Sequence, residues 1–167
     1  MFLNINGPVI ANTAYASNTL VAKDVDLDLP EVVPQGVDVS AMGTMTIPVW
    51  QLLENMEASV NKIGVDQGLT RLLTPEPIDV EFRWVHPVID ANGKTTNVGC
   101  KAFLHALPNK LPGISSKVGE AGDLPCTMTV TRYQLFVDGA EMWLIDRLAG
   151  IIRIDGKDYM ENIESML

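Results

Sequence analysis

The stretch TRYQLFVDGAEMWLIDRLAGIIRIDGKDYMENI, residues 131–163, decides the fold. Two Asp-Gly pairs, Asp138-Gly139 and Asp155-Gly156, punctuate it, and apolar and polar residues alternate on either side. A two-residue hairpin loop needs positive φ at its centre, which Gly adopts freely and Asp tolerates. The region from Cys126 to Tyr159 therefore reads as an antiparallel succession of strands, with Thr127–Val137, Glu141–Leu148 and Ile151–Ile154 as its members.

Working outward, the same alternation recurs. Ile78, Val80, Phe82 and Trp84 form one face of a strand whose other face carries Asp79, Glu81 and Arg83. Asn92-Gly93 supplies a third hairpin turn, returning the chain through Asn97–Leu107. Met56, Ala58 and Val60 alternate with Glu57, Ser59 and Asn61, again at strand spacing. Leu20–Leu29 alternates with Asp24, Asp26 and Asp28 on one side, and Pro30 and Pro34 then interrupt it. Residues 36–50, bounded by Gly36 and Trp50 and broken at Gly43, read as a long hairpin or loop. Only Val65, Leu69, Leu72 and Leu73 show helical spacing, in one short helix stopped by Pro75 and Pro77. Residues 108–125, with three Gly and three Pro by position, read as a long surface loop, and residues 159–166 as a tail with helical character. Residues 1–19, rich in Asn, Thr and Ala, read as an extended arm rather than a core element. The whole is expected to be one mainly β domain over 1–167, an antiparallel β-sandwich or half-barrel with one short helix.

Composition narrows the function. The chain has 167 residues, a hydrophobic share of 47% and a net charge of −9. No apolar run approaches the roughly 18–20 residues of a membrane-spanning helix, and the first residues lack the basic start of a secretory signal. The acidic balance argues against a surface that grips phosphates, yet an acidic wall suits a channel that conducts DNA without retaining it. The two cysteines, Cys100 and Cys126, have neither CxxC spacing nor a partner His at metal-ligand spacing, and are expected to be free buried thiols.

Candidate chemistry is sparse. His86 and His105 sit among strand residues with no nucleophile and carboxylate arranged around them, so a structural role is expected. The comb Asp24, Asp26, Asp28 resembles a hard-cation site only superficially, having no turn glycine and no distal Glu, and reads as a solvated face. Gly64–Gly68 lacks the Gly-Lys-Ser/Thr ending of a phosphate loop. Met42, Met45, Met56 and Met128 read as core and interface fillers, and Trp50, Trp84 and Trp143 form no stacking motif. No enzyme, cofactor or metal is expected.

The block from Thr131 to Ile163 resembles the C-terminal region of the major tail tube proteins of contractile-tailed phages and R-type bacteriocins. Tyr133, Leu135, Asp138, Gly139, Ile145, Asp146, Ile154, Asp155 and Gly156 carry the likeness. Leu27–Val32, the segment GVDVSAMGTMTIPV that follows, and Lys117–Glu120 extend it upstream in the same order. The resemblance implies a protomer that closes into a hexameric ring with a continuous inner β-barrel, the rings stacking into a tube through which DNA is ejected. It implies sheath, baseplate and tail-terminator partners, a place in the virion after assembly in the host cytoplasm, and no membrane. Ring closure suits a β protein because it hides edge strands that otherwise invite aggregation. On this reading Glu57, Ser59 and Asn61 are the lumen-facing candidates. Ser40, Ala41, Met42, Gly43, Thr44, Met45 and Thr46 are the candidates for contact between rings. The alternatives are a tube subunit of a bacteriocin or other injection system, and a monomeric β-sandwich module binding carbohydrate or a cell surface through an aromatic groove.

Overall fold

A computed structural model describes residues 4–167; the first three positions of the expected N-terminal arm lie outside the described residues. The strands are β1 (Ile5–Asn6), β2 (Ala11–Ala16), β3 (Thr19–Lys23), β4 (Asp26–Asp28), β5 (Pro34–Ser40), β6 (Thr44–Leu53) and β7 (Met56–Ile63). Helix α1 (Gln67–Leu73) follows, then β8 (Ile78–Ile89), β9 (Thr95–Pro108), β10 (Asp123–Val137), β11 (Ala140–Asp146), β12 (Ile151–Ile154) and β13 (Lys157–Asp158). A 3-10 turn spans Glu164–Met166.

Eleven strands form one antiparallel sheet whose main path runs β13-β12-β11-β10-β9-β8-β2-β3, while β5 and β6 form a separate two-stranded sheet. The turns obey the sequence chemistry: Asp138 and Gly139 have φ 50° and 79°, and Asp155 and Gly156 have φ 51° and 77°. A further turn of the same handedness lies at Ser17-Asn18, with φ 47° and 64°, joining β2 to β3.

The sheet curves around one core. Met56, Ala58, Val60, Val80, Phe82, Ala102, Leu104, Cys126, Met128 and Val130 are buried together, with Ala14, Ala16 and Leu72 completing the cluster. A β-bulge at Thr131 governs this curvature. Before it, β10 pairs with β7 (Cys126↔Val60, Met128↔Ala58) and buries its even-numbered residues; after it, β10 pairs with β11 and buries Tyr133 and Leu135. One extra residue thus shifts the buried positions from even to odd numbers while the same side of the sheet stays on the core. The Thr131 hydroxyl donates to the His105 carbonyl at 3.1 Å, fixing the irregularity. Burial pushes the Tyr133 hydroxyl up to about 12, consistent with its role as a packed ring against Trp143.

Several expectations are corrected. Residues 11–16 are not an arm: β2 lies in the sheet beside β8, with Ala14 and Ala16 fully buried. Small side chains at these positions let the strand sit close against the core while weakening its hydrophobic signature. Leu20–Leu29 is not one strand. Asp24 takes φ 52°, and the Asn12 side chain bonds both the Val25 N–H (3.0 Å) and its carbonyl (2.6 Å), imitating a strand partner at the break. The chain leaves β3 there and starts β4 against β7, so Asp24 is separated from Asp26 and Asp28. β10 begins at Asp123 with Pro125 inside it, two residues before the expected end of the preceding loop. Tyr159–Met166 forms turns and one 3-10 turn rather than a helix.

Helix α1 matches expectation and is tied in by a buried lysine. Asp66 caps it, accepting from the Leu69 N–H at 3.2 Å. Lys62 Nζ donates to Asp66 Oδ2 and to the Val21 carbonyl, both at 2.6 Å. Val21 is the extra residue of a second bulge, so this lysine satisfies a carbonyl displaced from the ladder. The Lys62 hydrogen bond holds the Asp66 carboxyl below its ordinary value.

Candidate functional site: a cation-free face and an exposed hairpin

Strand β7 points Glu57, Ser59 and Asn61 away from the core, as its alternation requires, with Met56, Ala58, Val60 and Lys62 directed inward. Register extends this outer face. Asn61 lies opposite Asp26, Ser59 opposite Asp28 and Thr127, and Glu57 opposite Thr129, with Asp123 at the end of β10 opposite Ile63. Ser59 Oγ donates to Asp28 Oδ2 at 2.8 Å, and Asn109 Nδ2 donates to Glu57 Oε1 at 3.4 Å. The result is a surface of short hydroxyls, an amide and carboxylates.

One feature of the sequence explains its uniform sign. No Lys, Arg or His occurs between Lys23 and Lys62, whereas Asp24, Asp26, Asp28, Glu31, Asp38, Glu54 and Glu57 all fall in that interval. Lys62 ends the interval, but its ammonium is turned inward to Val21 and Asp66. This run was a legible signal that strand alternation alone does not reveal.

Past the Thr131 bulge the outward side of the sheet changes character. On β8, β9 and the second half of β10 it carries Asp79, Arg83, Lys101, His105 and Arg132 with Phe103 and Phe136. Arg83 pairs there with Glu81, His105 Nδ1 with Asp79 at 2.7 Å, and Arg132 with Asp146 at 4.0 Å. Further along, Arg153 grips Glu141 through two hydrogen bonds of 2.6 and 3.0 Å, holding that carboxyl below its usual range. Trp84, Phe103 and Phe136 line an apolar groove with Gly99 and Gly139. Phe103 and Phe136 pack edge to face at 5.8 Å, so the rings engage each other rather than forming a flat stacking platform.

The strands β5 and β6 form the second feature. They pair Val37↔Ile47, Asp38↔Thr46, Val39↔Met45 and Ser40↔Thr44 around a turn at Ala41–Gly43, where Met42 and Gly43 take φ 54° and 123°. All seven residues from Ser40 to Thr46 are exposed. Alternation gives the hairpin two unlike sides. Val37, Val39, Met45 and Ile47 share one; Asp38, Ser40, Thr44 and Thr46 share the other, where Thr46 Oγ1 donates to Asp38 Oδ1 at 2.7 Å. The base of the hairpin is anchored by Arg147, which donates to the carbonyls of Leu53 (3.1 Å) and Glu54 (3.3 Å).

The histidines do not meet a catalytic arrangement. His86 Nδ1 lies 3.7 Å from Cys100 Sγ, and burial raises the thiols of both Cys100 and Cys126. Among the described residues no three or more His, Cys, Asp or Glu gather as a metal-holding group.

Comparison with solved structures gives a fold likeness to two chains of an extracellular contractile injection system. A chain of the PVC sheath-tube complex in the extended state matches with TM-score 0.53 and 11% identity, over 78% of this chain and 90% of that one. A chain of the PVC sheath/tube terminator in the extended state matches with TM-score 0.53 and 10% identity, over 77% and 95% respectively. The comparison with curated proteins found no match. The profile of the phage tail tube protein FII family matches residues 10–167, which takes in both the cation-free face and the hairpin. The chain therefore belongs to the phage tail tube protein FII family.

Proposed function

We propose that this protein is the subunit of the inner tube of a contractile phage tail, a single domain that forms hexameric rings, stacks them, and encloses the channel for DNA. The observation that carries the reading is the family match over residues 10–167, joined to a surface on β4, β7 and the first half of β10 from which basic residues are missing. Glu57, Ser59 and Asn61 face the lumen, where fixed negative charge repels a polyanion at short range and hydroxyls offer no anchoring cation. Salt screens this repulsion beyond roughly 8–10 Å, so it acts on cargo close to the wall. The hairpin segment Ser40–Thr46 contacts the neighbouring ring, and sheath, baseplate and terminator proteins engage the assembled tube in the virion.

A second reading is favoured by the solved structures of similar fold, which come from an extracellular contractile injection system. On it, the same tube delivers a cargo other than a genome. Electron microscopy of the purified protein tests what both readings share. Wild type forms hollow tubes, and a variant lacking residues 40–46 stays folded and does not; discrete monomers from wild type defeat both readings. The Glu57→Lys tube separates them, since DNA passage slows on an attractive wall. Unchanged genome ejection through Glu57→Lys tubes removes Glu57 from the lumen.

A further inference from the structure

We infer that residues 19–29, comprising β3, β4 and the joint between them, are a strap that closes the curved sheet, latched by the side chains of Asn12 and Lys62, and that this strap opens while the rest of the core stays folded. The inference concerns the single chain and stands apart from the tube reading.

The first observation is topological. The sheet path ends at β3 on one side, and on the other it passes from β10 through β7 to β4. Asp24 and Val25 join those two ends covalently, with Asp24 at φ 52°. Among the described residues β3 pairs only with β2, and β4 only with β7 over the three residues Asp26–Asp28. The sheet is thus closed by a length of chain, and no backbone ladder joins β3 to β7 or β2 to β4 among the described residues.

The second observation is what spans that seam. Lys62 reaches from β7 to the Val21 carbonyl of β3 at 2.6 Å. The Asn12 side chain of β2 holds both polar groups of Val25, at the entry to β4, accepting from its N–H at 3.0 Å and donating to its carbonyl at 2.6 Å. Each side chain does what a neighbouring strand does inside a ladder, satisfying peptide groups that burial withdraws from water. Where a ladder shares its load among many bonds, this closure depends on two residues.

The third observation is packing. A cleft of about 370 Å³ lies between β3 and β7, bounded by Val21, Asp24, Lys62 and Asp66. A hole of about 120 Å³ lies beneath β4, bounded by Asn12, Leu27, Leu29, Phe82 and Trp84. Side chains beside such spaces forfeit the contacts of a close-packed interior. Val21 and Ala22 are buried, but Val25, Leu27 and Leu29 are only partly so. The ends of the strap are firmer. At the Ser17-Asn18 turn the Ser17 N–H donates to the Asp79 carbonyl at 2.9 Å, and Pro30 is buried at the other end. A segment with few ladder bonds, two latches and unfilled space beside it, set between fixed ends, has the features of a unit that opens below the free energy of global unfolding. Strands β8, β9 and β10 lack those features, each being paired on both sides.

Hydrogen–deuterium exchange of the full-length free subunit, read on peptic peptides and corrected for intrinsic rates, tests the inference. In wild type, residues 19–29 exchange roughly tenfold or more faster than the core stretches 78–84, 100–106 and 126–130. Low urea speeds the core stretches and barely changes the strap, because a local opening exposes little surface. Asn12→Ala and Lys62→Met each speed the strap about fivefold, the effect of losing a hydrogen-bonded partner. Leu135→Ala, on β10 beyond the bulge, speeds the core stretches roughly tenfold or more and leaves the strap within about twofold, since Leu135 stays packed when the strap opens. A wild-type strap that exchanges at the core rate overturns the inference, as does a strap that accelerates together with the core in Leu135→Ala. Latch variants that leave the strap rate unchanged overturn the roles of Asn12 and Lys62. The wild-type and Leu135→Ala measurements decide the opening itself even where a latch variant does not fold.

Discussion

The body of the sheet and the β5–β6 hairpin are built from the same alternation, yet they solve opposite problems. Along the first half of β8, the second half of β9 and β10 on either side of its bulge, alternate side chains enter a shared core, and Phe82, Met128 and Leu104 are almost wholly enclosed. In the hairpin, residues of the same type, Val37, Val39, Met45 and Ile47, stand in water. Hydrophobic alternation therefore marks a face that requires covering, without stating whether the same chain covers it. The apolar burial that drives folding resides in the body, and the hairpin leaves its apolar side exposed.

Substitutions that act on one region and spare the other sharpen this division. The largest effect belongs to Phe82→Ala, which empties the centre of the core and lowers unfolding free energy by about 3–5 kcal/mol. Urea denaturation measures it, and a loss under about 1 kcal/mol places the stability elsewhere than the body. A smaller effect comes from the Lys62–Asp66 pair. Asp66 titrates below its ordinary value in the folded state because Lys62 bonds it, so its contribution is complete above about pH 4 and fades as pH falls through the lower folded value. The drop in Tm on acidification below pH 4 is accordingly shallower in Lys62→Met than in wild type; identical slopes remove the pair from the acid response. The smallest effect on folding is that of Ile47→Asp in the hairpin, within about 0.5 kcal/mol of wild type. The same substitution abolishes tube formation, as sedimentation shows directly. A marked fall in its Tm breaks the division by showing that the hairpin side is part of the folding unit.

Much of the body was legible because its signals are local. Asp138-Gly139, Asp155-Gly156 and Asn92-Gly93 each announce a turn, and Ile78 to Trp84 alternates without interruption. Helix α1 is delimited by the Asp66 cap and the following prolines. What escaped depends on partners distant in the chain. β2 buries alanines, whose placement is dictated by pairing with β8 rather than by their own hydrophobicity. The break at Asp24 is stabilised by Asn12, twelve positions earlier. The bulge at Thr131 leaves a trace only in the switch of buried positions from Val130 to Tyr133. For the candidate site, the outward position of Glu57, Ser59 and Asn61 followed from alternation. The polar side of the hairpin required the β5–β6 register, which fixes Asp38 opposite Thr46.

The fifteen-residue β10 has a mechanical consequence. Its first half is hydrogen-bonded to β7 and its second to β11, so tension entering at either end travels to the other through covalent backbone. A load on β7 is then shared with the C-terminal hairpins as shear across many hydrogen bonds at once, instead of peeling them one by one. The kink at Thr131 is the place where such a loaded strand can flex without parting.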